Sequence, residues 1–97
     1  MLGRQDGTSK EFPSVRAEEI HLRRLTVDEA LWRLDRFLND AFIAGIPQVR
    51  VIHGKGTGTL RHAVREELGN SPMVKSFRPA GLADGGNGAT IVELANQ

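Results

Sequence analysis

The apolar positions along the chain follow two periods, which together predict four strands and two helices. Short runs of alternating or β-branched residues predict strands at 17–22, Gln48–Ile52, 74–78 and Ala89–Leu94. Apolar residues spaced three and four positions apart predict one helix that begins after Thr26 and a second helix over 59–68. The predicted order is β-α-β-α-β-β.

Strands that alternate with helices predict parallel pairs joined by right-handed crossovers. The last two strands, which are joined by a glycine-rich loop, predict an antiparallel partner at one side of the sheet. The fold class is therefore α/β, in the form of an α+β sandwich, with a mixed four-stranded sheet and both helices on one face. Residues 1–16 have little apolar content, which predicts a disordered arm or linker remnant before one domain over 17–97.

The first helix carries start and stop signals. Thr26 and Glu29 have the spacing of a capping box, in which each side chain accepts the backbone N–H of the other residue. Gly45, followed by Pro47, ends the helix. Trp32 falls on the polar side, where it either covers neighbouring aliphatic stems or anchors a base or a protein partner.

The composition predicts one soluble domain, because 97 residues with 39% hydrophobic and 26% charged residues suffice for one core. Cysteine is absent, which excludes disulfides and thiolate metal sites. No apolar run has the length of a membrane helix, and the N-terminus lacks the apolar centre of a signal peptide. We therefore expect a cytoplasmic protein with no membrane partner.

The basic charge is concentrated in residues 41–65. This stretch has no Asp or Glu and contains Arg50, Lys55, Arg61 and Arg65, whereas the formal net charge of the whole chain is only +1. Such a local excess of positive charge indicates a footprint for a polyanion.

A glycine-rich turn connects the second strand to the second helix. Gly54, Gly56 and Gly58 alternate with Lys55 and Thr57, so backbone N–H groups can face one point beside the positive end of a helix dipole. This arrangement is typical of phosphate binding, although the glycines could also serve only as a tight connection. The spacing matches neither a P-loop nor a dinucleotide fingerprint, so nucleotide binding is not expected.

Phosphodiester cleavage needs proton transfer and stabilisation of charge on the phosphoryl oxygens. His53 is the candidate for proton transfer because imidazole titrates near neutrality, and Arg23 and Lys55 are candidates for holding the phosphate. A divalent metal, Mg²⁺ or Mn²⁺, could assist, but Asp84 and His21 are the only spare ligands. The alternatives are that His53 merely caps the loop through a ring N–H and that His21 is a surface residue.

Three stretches stand out together, which are LTVDEALWRLDRFLNDAFIAG at 25–45, HGKGTGTLRHAVREEL at 53–68 and PMVKSFRPAGLADGGNGATIVEL at 72–94. They resemble the Smr (small MutS-related) domain, in particular the version at the C-terminus of bacterial MutS-like proteins of the second type. The resemblance covers about residues 19–94. It implies a compact α/β fold akin to the C-terminal domain of a bacterial translation initiation factor, nucleic-acid binding and, in many members, DNA nicking by an endonuclease.

The resemblance assigns roles residue by residue. The family motif HGKGTG is matched by His53, Gly54, Lys55, Gly56, Thr57 and Gly58. The family's first-strand motif, Leu-Asp-Leu-His/Arg-Gly, departs here, with His21 at the Asp, Arg23 at the His/Arg and Arg24 at the Gly. Because the Asp is proposed to take part in cleavage, His21 in its place puts catalysis in question and leaves binding untouched. The expected catalytic residues are His53, Arg23 and His21, and the expected nucleic-acid contacts are the glycine turn, Arg50, Lys55, Arg61 and Arg65.

Three functions compete at this stage. The first is a DNA-nicking endonuclease domain of a MutS-like protein that suppresses homologous recombination and acts in DNA repair. The second is a non-catalytic module that brings a parent ATPase to DNA, including branched DNA, or to RNA or a ribosome. The third is a protein-interaction domain that uses Trp32. The chain carries no Walker sequence, so the ATPase portion would lie outside it.

Overall fold

The structure, a computed structural model, describes residues 18–96, so the arm predicted at 1–16 lies outside the described residues. It contains β1 (Glu18–His21), α1 (Val27–Ile43), β2 (Gln48–Ile52), α2 (Thr59–Asn70), β3 (Val74–Pro79) and β4 (Ala89–Leu94). The predicted order is confirmed, and two short 3₁₀ turns precede β4. Neither described helix is both long enough and apolar enough to cross a membrane.

The four strands form one mixed sheet in the order β1-β2-β4-β3. β1 pairs with β2 in parallel, and β4 is antiparallel to both of its neighbours. The antiparallel strand therefore lies inside the sheet, and the prediction that placed it at one side is wrong. The physical reason is burial, because five of the six residues of β4 are buried and an inner strand has both edges covered.

Both helices pack on one face of the sheet, as predicted. The core between them contains Leu22, Ala30, Leu34, Leu38, Ala41, Val49, Val51, Val64, Leu68, Val92 and Leu94. Because successive residues of a strand face opposite sides, Arg50 and Ile52 of β2 lie on the open face of the sheet. A smaller cluster of Ile52, Ala80, Ala89 and Ile91 forms there.

The start of α1 agrees in part with the predicted capping box. The Thr26 hydroxyl accepts the Glu29 backbone N–H at 3.2 Å. The Glu29 carboxylate does not return the bond and accepts from Arg33 Nη2 at 3.3 Å, one turn further along. At the other end, Gly45 adopts φ +76° and the helix ends at Ile43. The capping fixes the point at which the chain enters α1, directly beside the glycine-rich turn.

Candidate functional site

The glycine loop, residues 54–58, connects β2 to α2. Gly54, Gly56 and Gly58 have φ values of +81°, +39° and +90°, in the left-handed region that glycine adopts without strain. Gly58 is also the N-cap of α2 and provides no side-chain cap. The loop thus needs its three glycines for their backbone conformation, and it leads directly into the start of a helix.

A second glycine-rich segment holds this loop in place. The Gly88 carbonyl accepts the N–H of His53 at 3.1 Å and the N–H of Gly54 at 2.9 Å. Gly88 is buried, and a Cβ built on it would lie 3.6 Å from Lys55 Cγ and 3.7 Å from Gly54 Cα. The two glycine-rich segments, which are far apart in sequence, therefore meet at the end of β2.

His53 lies buried beneath the loop with 4% of its surface exposed. Its Nδ1 lies 2.9 Å from the Gly54 carbonyl, which can only accept, so Nδ1 carries the proton. Nε2 lies 2.9 Å from the Thr90 hydroxyl, which donates to it when the ring is neutral. Burial lowers the pKa of His53, and the cations Arg65 and Arg61 act in the same direction, against the Gly54 hydrogen bond. His53 is thus a neutral imidazole with both nitrogens occupied.

Thr90 connects His53 to α2. It is fully buried on β4, and its hydroxyl also accepts from Arg65 Nε at 3.2 Å. Arg65 Nη2 is buried without a hydrogen-bond partner, and burial lowers the pKa of the Arg65 guanidinium. The sequence analysis missed Thr90, for which the available signal is a polar residue within the mainly apolar run at 89–92. Direct phosphate contact by Arg65 stays a prediction.

Two arginine side chains lie against the glycines of the loop. A Cβ on Gly54 would be 3.1 Å from Arg23 Cγ, and a Cβ on Gly58 would be 2.9 Å from Arg61 Nη2. Lys55 is exposed between them. The glycines therefore serve a second purpose, because their missing side chains let Arg23 and Arg61 approach the backbone of the loop.

The loop separates two clefts that are both lined by cations. The first cleft, of about 500 Å³, lies on the open-face side and is lined by Arg23, Arg50 and Lys55. The second cleft, of about 380 Å³, lies towards the start of α1 and is lined by Arg24, Lys55 and Arg61. Among the described residues that line either cleft there is no carboxylate. Together they offer an anion a concentrated positive surface on both sides of Lys55.

The structure places His21 away from His53. His21 is exposed, and its Nε2 lies 2.9 Å from the Glu19 carboxylate, which Arg50 also contacts. The Arg50 hydrogen bond, followed by that of His21, lowers the pKa of Glu19. These residues share the open face, whereas His53 and Thr90 lie on the face that the helices cover. A catalytic role for His21 stays a prediction, but the sheet separates it from His53.

Within residues 18–96, no group of three or more His, Asp or Glu residues is placed to hold a metal ion. The side chain of Asp84 lies outside the described part of the structure, and His21, the other spare ligand identified from the sequence, belongs to no such group. Binding of Mg²⁺ or Mn²⁺ stays a prediction.

Trp32 is well exposed on α1, at 59% of its surface. The Arg36 guanidinium lies 5.1 Å from the centre of its ring, within the range of a cation–π contact. The arginine covers part of the indole, and the helix side chains leave the rest accessible. Trp32 lines neither of the two clefts.

Comparisons with known proteins relate the chain to one protein family. The Smr domain family model matches residues 20–95. A protein of Symbiobacterium thermophilum named endonuclease MutS2 is 55% identical over 76 residues, which make up 78% of this chain and 10% of that protein. The chain thus spans about a tenth of the length of the curated relatives it matches.

Two solved structures share the fold. The Smr domain of Thermus thermophilus MutS2 matches with a TM-score of 0.80 and 46% identity, over 81% of this chain and 99% of that chain. YdaL, a stand-alone small MutS-related protein from Escherichia coli, matches with a TM-score of 0.77 and 28% identity, over 80% of this chain and 64% of that chain.

We expect Gly58→Ala to lower the free energy of unfolding by about 1–2 kcal/mol, because alanine is strained at φ +90° and its Cβ displaces the Arg61 guanidinium. Gly69→Ala is the matched control on the same helix. Nothing lies within 4 Å of a Cβ there, and the helix should gain up to about 0.5–1 kcal/mol. Urea unfolding measures both changes, and a stabilised Gly58→Ala variant would contradict the assigned loop conformation.

We expect stability to fall with acidification because the pKa of native His53 lies below its ordinary 6.5. The unfolded chain takes up this proton near pH 6.5 while the native protein resists it, so unfolding becomes easier from there down to the native pKa. NMR titration of the imidazole gives the native pKa, and urea unfolding gives the slope, which should be smaller in His53→Asn. A native pKa at or above 6.5 would refute the assignment of a buried neutral imidazole.

Proposed function

Because the chain belongs to the Smr domain family, we propose that it is a nucleic-acid-binding domain that grips the phosphate backbone at its glycine loop. The observation that carries this proposal is the grouping of Arg23, Lys55 and Arg61 around one loop with no carboxylate among the described cleft-lining residues. A polyanion relieves the mutual repulsion of these cations.

The loop would recognise backbone phosphates, and base sequence would contribute little. Cations and backbone N–H groups bind phosphate oxygens without reading bases. With about four phosphate contacts, the logarithm of affinity should fall against the logarithm of salt concentration with a slope near −3.6 on duplex DNA.

DNA nicking is the second candidate function, favoured by the endonuclease name of the MutS2 relatives. Lys55 and Arg23 could stabilise charge on a phosphoryl group. His53 is less suited to proton transfer, because it is buried and both ring nitrogens already have partners. We therefore assign His53 to positioning the loop. Suppression of recombination and delivery of a parent ATPase to DNA, RNA or a ribosome stay predictions, as does a cytoplasmic location.

Lys55→Ala should weaken binding to a labelled random-sequence DNA duplex by about eightfold at 0.1 M salt, and should make the salt slope shallower by about 0.9. Arg33→Ala is the matched control, because Arg33 pairs with Glu29 on α1 and lines neither cleft. Fluorescence anisotropy over a salt series measures both variants. Equal losses in the two variants, or a slope near zero for the wild type, would refute binding at the loop.

Nicking of supercoiled plasmid, with Mg²⁺, Mn²⁺ and EDTA arms, separates the two roles of His53. If His53 positions the loop, His53→Asn should reduce nicking and DNA affinity together, because the same hydrogen bonds hold the binding surface. Loss of nicking with unchanged affinity would assign proton transfer to His53 instead. Binding by the wild type without nicking in any arm would make the domain a non-catalytic module.

A further inference from the structure

Arg24 has a backbone conformation that its side chain disfavours. It is the one non-glycine residue in the described part of the chain with a positive φ, at +70°. A left-handed conformation costs an ordinary residue about 1–2 kcal/mol, and glycine would adopt it freely. Residues with strained backbone conformations of this kind cluster at functional sites, which suggests a function for the Arg24 side chain.

Arg24 lines the second cleft together with the residues of the glycine loop, and it is exposed. Lys55 and Arg61 line the same cleft, and the other described lining residues carry no acidic group. Arg61 is held against Gly58, so its guanidinium stays close to the loop. Three cations that share a cavity of about 380 Å³ form a site that a phosphate group suits in charge and size.

Two consecutive arginines, Arg23 and Arg24, line different clefts. Arg23 lines the first cleft and packs across Gly54, whereas Arg24 lines the second cleft. Lys55 lines both clefts, because it lies on the glycine loop that separates them. Cations from this one Arg-Arg pair thus line both sides of the loop.

We propose that the second cleft binds a second backbone phosphate, so that one nucleic-acid strand crosses the glycine loop with phosphates on both sides of Lys55. Arg24 is then a binding residue that the sequence analysis did not include. The inference rests on the proposed function and extends it, because it requires a polynucleotide and not a single phosphate group as the ligand.

Arg24→Gly tests the proposal directly, because it removes the cation and relieves the backbone. Its thermal stability should equal or exceed that of the wild type, while its affinity for the labelled duplex at 0.1 M salt falls about eightfold. The salt slope should become shallower by about 0.9. Arg24→Asn, a neutral residue that tolerates the left-handed region, should show the same loss of affinity. Arg33→Ala should bind as the wild type does.

The outcomes distinguish this inference from the proposed function. If the wild type binds and Lys55→Ala weakens binding, unchanged affinity in Arg24→Gly or Arg24→Asn overturns the second cleft alone. A lower thermal stability of Arg24→Gly would also overturn it, because the arginine would then be structural. If the wild type does not bind the duplex at all, both the proposed function and the second cleft are overturned.

Discussion

The Gly88 carbonyl holds the candidate site in position, because it accepts hydrogen bonds from the N–H groups of both residues that follow β2, His53 and Gly54. The last residue pair of the β2–β4 ladder is Ile52 with Ala89. The hydrogen bonds that the His53 and Gly54 N–H groups donate to Gly88 extend the contact between the two segments beyond that pair. The glycine loop therefore starts from a rigid end of the sheet. A Cβ built on residue 88 would lie at ordinary contact distance from Lys55 and Gly54, so the loop packs closely against this residue.

The neutral state of the His53 imidazole also helps to hold the loop in position. A neutral imidazole can donate to the Gly54 carbonyl and accept from the Thr90 hydroxyl at the same time, whereas a protonated ring would present two donors. The Thr90 hydroxyl in turn accepts from Arg65 Nε of α2. One continuous set of hydrogen bonds thus joins the loop, the central strand and the second helix. The exposed cations around the loop therefore lie above a buried imidazole that is itself uncharged.

The sequence predicts the elements and the basic loop well, because period, capping and charge are local signals. Val49, Val51 and Leu34 lie in the core that their spacing indicates, and Lys55 lies exposed between cations. The contact of Gly88 with Gly54 could not be predicted, because it depends on the pairing of distant strands. For the same reason, the hydrogen bond of Thr90 to His53 could not be predicted from the sequence, and the left-handed φ of Arg24 is seen only in the structure.

The central position of β4 has a consequence for the order of folding during synthesis. β4 pairs with β2 on one side and β3 on the other, yet it is the last strand to be made. Until residue 94 has left the ribosome, β2 keeps an unpaired edge and the core lacks Val92 and Leu94. The hydrogen bonds from His53 and Gly54 to the Gly88 carbonyl also form only at that stage, because Gly88 directly precedes β4. A nascent chain that stops before β4 contains every residue of the glycine loop and has no surface to hold it.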